Sequence, residues 1–205
     1  MFRAEILWLP NDPTLGELMS WFHSSTTAGD ARNHASAADI VACFRDQRDL
    51  LDRLAFLITA DEAIAEQAVA QACETTLQGS SPSRIWLLEW AKAATLAAAT
   101  SLHGDAIRMR EAIYKDRGCP HVEHLSQFAD AWRAASLALI VQMDAQKIIA
   151  ELDPLCRAIL VLRIAIRSSI RDCSLRLNVS RSAAVAANCL AMTWLDYRHI
   201  KAIGG

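Results

Sequence analysis

Residues 152–201, LDPLCRAILVLRIAIRSSIRDCSLRLNVSRSAAVAANCLAMTWLDYRHIK, constrain the fold more than any other stretch of the chain. Helix starts and stops are written into them at short intervals. Pro154 stands where a first helical turn tolerates a missing N–H. Ile159, Leu160, Leu162 and Ile166 then follow along one side of a helix. Ser169-Ile-Arg-Asp172 is a capping box with Asp in place of Glu: the hydroxyl accepts an amide at the third position and the carboxylate reaches back. The short helix it opens carries Ile170, Cys173 and Leu177 on one side. It stops at Asn178, a residue that tolerates the left-handed conformation. Ser180 caps a third helix expected to run to about His199. This order is that of a helix-turn-helix, and Ser174 and Ala184 are small enough for a close crossing of its helices.

Charge adds a second constraint. From residue 155 to 205 there are eight Lys and Arg against two Asp, so this part carries +6 and the rest −8 within a net charge of −2. A basic module on an acidic body is the footprint of phosphate binding; the plainer alternative is that the two parts dock on each other by charge.

The remaining chain reads as helices and breaks. Residues 1–47 form an extension, with a short helix over Leu15–His23 and a loop from Ser24 to Ser36. A helical pattern starts at Asp39 and carries through Leu51, Leu54, Phe56 and Leu57. Thr59-Ala-Asp-Glu62 reads as another capping box, opening a helix with Ile64, Ala68 and Ala72. After the break at 78–83, an apolar helix is expected from about Arg84 to Leu102, ended by Gly104, with Trp86 and Trp90 in its core. Asp105–Gln127 is a charged connector. Phe128, Trp132, Ala135, Leu139 and Met143 then mark an amphipathic helix. Cys119, His121 and His124 lack a fourth zinc ligand and read as surface residues, so no metal is expected. The six cysteines, with no CxxC pair, read as buried reduced thiols.

Several classes are set aside on the sequence. No run of 18 apolar residues suggests a membrane span. The start lacks a basic flank followed by a long apolar core, so the cytoplasm is the expected location. No glycine-rich phosphate loop, GxSxG or HExxH is present, so neither catalysis nor a cofactor is expected.

The order Leu152, Pro154, Arg157, then Leu160-Val161-Leu162-Arg163, Ser169 through Asp172, and the turn Asn178-Val179-Ser180 resembles the C-terminal DNA-binding region (region 4) of bacterial extracytoplasmic-function sigma factors. Leu54-Ala-Phe-Leu-Ile-Thr, Ala65-Glu66 and Trp86-Leu87 resemble the core of sigma region 2. The resemblance implies promoter DNA as ligand, with RNA polymerase core or an anti-sigma-like protein as partner. Arg171, Arg176, Ser180, Arg181 and Ser182 are then expected on phosphates, and Asn188 on a base edge. The chain departs from the family pattern at named places. Val185, Ala187 and Leu190 replace the Lys and Arg of the third helix, and Arg167 replaces a hinge Gly. Gln67 replaces an acidic residue, and Ala93, Ala94, Ala97, Ala98 and Ala99 replace the polar and basic side chains that engage an opened strand.

The expectation is an all-α chain of two small helical bundles: extension 1–47, region 2-like domain 48–104, connector 105–151 and helix-turn-helix domain 152–205. Its expected function is that of a divergent sigma-factor-like transcription protein. The alternative is a helical interaction module that kept the scaffold and lost promoter recognition.

Overall fold

The computed structural model describes residues 33–79, 81–115 and 149–203, and of 195–203 the backbone only. The protein is all-α over these residues. In chain order the helices are α1 (Ala37–Asp46), α2 (Arg48–Thr59), α3 (Glu62–Gln78), α4 (Leu87–Leu102), α5 (Gly104–Met109), α6 (Glu111–Tyr114), α7 (Pro154–Ala165), α8 (Ile170–Leu177) and α9 (Arg181–Ile203). A 3₁₀ turn, Arg84–Trp86, leads into α4. The helices at 15–23 and 128–143 expected from the sequence lie outside the described residues.

Local chemistry sets most of the boundaries. α1 opens on a capping box that the sequence reading passed over: Ser36 Oγ accepts from the Asp39 amide, and Asp39 Oδ2 accepts from the Ser36 amide at 2.8 Å. The same carboxylate takes the Arg84 guanidinium at 2.7 Å, which ties α1 to the start of α4. The Ser36 hydrogen bonds, and after them Arg84, hold the Asp39 carboxyl down to about 2. Residues 33–35 run beside 81–84, with Ala35 N–H on Pro82 O and Arg84 N–H on Asn33 O, both at 2.8 Å.

The second expected capping box is displaced. Ala60 takes φ 53° and ends α2, so the first extended residue after it is Asp61, whose carboxylate accepts the Ile64 amide at 3.0 Å. Thr59 stays inside, its hydroxyl donating back to Ala55 O. α4 ends at Leu102 as expected, and Gly104 begins α5 directly after the cap residue His103.

Alanine lets three helices approach closely. α3 buries Ala65, Ala68 and Ala72, and α4 buries Ala91, Ala98 and Ala99 where it packs on α2 and α3. The alanine-rich faces of α4 are therefore largely internal. Trp86 departs from expectation in the other direction, at 60% exposed on the 3₁₀ turn with Ile85 beside it at 81%.

The central departure concerns α7. The sequence pattern gave it one apolar side, yet Leu155 through Leu162 are all buried. A helix apolar all round belongs in the middle of a core. α2 and α5 pack on α7, and so do α8 and α9. One continuous apolar cluster results, running from Ile40 and Phe44 in α1 to Ala191 in α9. Two separate bundles are not what the described residues form.

Arg157 fixes this junction. It is 4% exposed, and its guanidinium donates to Ile58 O and Thr59 O at the end of α2 and to Ala150 O and Leu152 O before α7. Those α2 carbonyls are among the groups a helix C-terminus leaves unpaired, and a cation there also meets the negative end of the helix dipole.

Candidate nucleic-acid interface

The helix-turn-helix forms as its caps require. Asp153 accepts from the Leu155 amide and Pro154 occupies the first turn of α7. The Ser169–Asp172 box opens α8 with both reciprocal bonds, at 3.1 and 3.2 Å. Asn178 ends α8 at φ 51°, and Ser180 Oγ accepts the Ala183 amide at the start of α9. Ser174 and Ala184 are both buried where α8 and α9 pack. Arg167, at the hinge, sits at φ 55°, a left-handed conformation that suits glycine better.

Five of the six expected contact residues keep some exposure on α8, the turn and the start of α9. Arg171 is exposed on α8, and Arg181 and Ser182 are exposed in the first turn of α9. Arg176 and Ser180 are half-buried. Arg167 is exposed at the hinge. None of Arg167, Arg171, Arg176 and Arg181 pairs with a carboxylate among the described residues. Leu175, one turn beyond Arg171 on α8, is 59% exposed.

Asn188 is a correction. It is 2% exposed, and its Oδ1 accepts from Arg163 Nη1 of α7 at 2.8 Å, so its amide serves an internal bond and not a base edge. Its neighbours follow the same geometry: Ala187 is fully buried, Val185 half-buried, and Leu190 37% exposed. Over Ala183–Ala191 the helix is enclosed on most sides, because small residues let α7 and α8 close on it.

Two residues missed by the sequence reading sit at this site. Glu111 Oε1 accepts the Ser180 amide at 2.7 Å, and hydrogen bonds from Ser180 hold the Glu111 carboxyl below the ordinary glutamate range. Arg110 Nε pairs with Asp153 Oδ2 at 3.0 Å. Both lie in a stretch without clear periodicity, and their partners are dozens of residues away, so no local signal marks them.

The cysteines divide. Cys43, Cys73, Cys156 and Cys173 are free thiols, but Cys189 is disulfide-bonded, which corrects the expectation that all were reduced. Burial pushes the Cys156 thiol up to about 11 and Cys173 up to about 12, so neither supplies a thiolate at neutral pH. Among the described residues no group of three His, Cys, Asp or Glu comes together as a metal site, and Cys119, His121 and His124 lie outside them. No described helix is long and apolar enough to cross a membrane. No family model matches this chain, and neither a curated protein nor a solved structure matches it.

Proposed function

We propose that this chain is a divergent sigma-factor-like transcription protein that contacts DNA through phosphates along the outer edge of α8 and the first turn of α9, and acts with RNA polymerase core or an anti-sigma-like protein. The observation that carries the proposal is that, among the described residues, the guanidinium groups of Arg167, Arg171, Arg176 and Arg181 meet no carboxylate. Cations without a carboxylate partner among the described residues suit an external polyanion, and each phosphate they neutralise releases counterions. Contacts of this kind set position and orientation and carry no sequence information. With Asn188 turned inward, base reading is not part of the proposal.

The test is duplex DNA binding by the full chain across a salt series, with Arg171→Glu and Arg181→Glu singly and together. Each lost phosphate contact is expected to lower the slope of log affinity against log salt by about 0.9, so the double variant loses roughly 2 units of slope. Binding that is absent at low salt, or indifferent to both reversals, would contradict the proposal. A specific observation favours a second reading, that of a helical interaction module without DNA binding. Ala187 at 0% and Asn188 at 2% exposure take these two positions of the third helix away from any base-reading face. The same salt series decides between them.

A further inference from the structure

We infer that α6 and the residue before it form an autoinhibitory strap across the helix-turn-helix. Consecutive residues on the strap grip the starts of two different helices. Arg110 holds Asp153, whose other carboxylate oxygen accepts the Leu155 amide and so caps α7. Glu111 holds the amide of Ser180, the cap of α9, and α6 packs against α9. The far end is anchored by Tyr114, 6% exposed, whose hydroxyl receives the Cys156 S–H at 3.4 Å.

The near end is built to let go. Ala112 is exposed and Ile113 is 42% exposed, so little apolar area holds the strap between its anchors. Its grip there is polar and wet: the Arg110 side chain is 47% exposed, and Glu111 is only half-buried. Segments with few buried apolar contacts open locally at low cost.

The inference rests on the DNA reading and names its regulation. The Glu111 carboxylate lies on the amide that precedes Arg181 and Ser182. A phosphate drawn to those two residues meets a like charge at close range, so strap closure and polyanion binding oppose each other. By reciprocity, whatever lifts the strap raises DNA affinity, and DNA lifts the strap.

Two single variants of the full chain separate a strap from a mere change of field. Glu111→Ala removes a negative charge and Arg110→Ala removes a positive one. If charge alone acted, the first would strengthen DNA binding and the second would weaken it. A strap requires both to strengthen it, by roughly tenfold if each releases one charge-assisted contact. Hydrogen exchange at the amides of residues 180–185 should quicken in both, with α2 and α4 unchanged as the control for folding. Glu111→Gln, a smaller perturbation, replaces E111A if that protein does not fold. Weaker binding by R110A, or unchanged exchange at 180–185, overturns the strap while leaving the salt-dependent binding of the unaltered chain intact. If no version binds DNA even at low salt, the DNA reading falls, and the strap as its regulator falls with it.

Discussion

Arg157 shows how much one side chain can decide. A guanidinium presents five donors in a fixed fork, and here they reach carbonyls on both sides of a helix junction. Lysine keeps the charge but offers three donors from one point, so Arg157→Lys leaves at least one of these buried carbonyls without its partner. That variant is expected to lose about 1–3 kcal/mol, read as a lower urea midpoint; an unchanged midpoint would mean that the fork is dispensable. Nearby, His103 bears the cost of the arrangement. Burial, and then the positive charge of Arg157, lower its pKa, and its Nε2 is buried without a hydrogen-bond partner among the described residues. The folded state therefore favours the neutral ring. Its contribution is present above the ordinary histidine value and declines as pH falls below it, because the unfolded chain takes up the proton first.

At the scale of the elements, the helix ends carry most of the information that the sequence makes legible. The Ser169–Asp172 box, Asn178 and Ser180 placed α8, the turn and the start of α9, because each acts through bonds within four residues of itself. The hinge is less comfortable. Arg167 and Ala60 both hold left-handed backbone, which a Cβ disfavours by about 1–2 kcal/mol. Arg167→Gly is expected to raise stability by about 0.5–1 kcal/mol, the relief of strain exceeding the entropy that glycine adds to the unfolded chain. The same change should weaken DNA binding, since it removes a cation from the edge. A thermal melt shows the first effect, and a lower midpoint would mean that the left-handed turn is not strained.

At the scale of the molecule, the sequence misleads in one consistent way. Periodicity gave α7 one apolar side because a single strand of text shows which residues are apolar, not how many neighbours a helix will have. Arg157 and Arg163 interrupt the pattern as if marking a wet face, yet the first caps another helix and the second pairs with Asn188. Pairing of this kind, between residues 25 to 99 apart, leaves no local trace. The same blindness hid Glu111 and Arg110 and put Asn188 on the wrong side of α9. Arg171, Arg181 and Ser182 are exposed beside helix caps that local spacing makes legible.

α7 joins the helix-turn-helix to the N-terminal helices in one apolar cluster. Native-state hydrogen exchange across a denaturant series tests it most directly, at the amides of Leu54–Ile58 in α2 and Ile159–Leu162 in α7. If the core is one, both sets exchange through the same global opening, with matching free energies and slopes, and Arg157→Lys lowers them together. If α7 opens at lower free energy while α2 keeps its protection, the helix-turn-helix is a separate unit and the account is wrong.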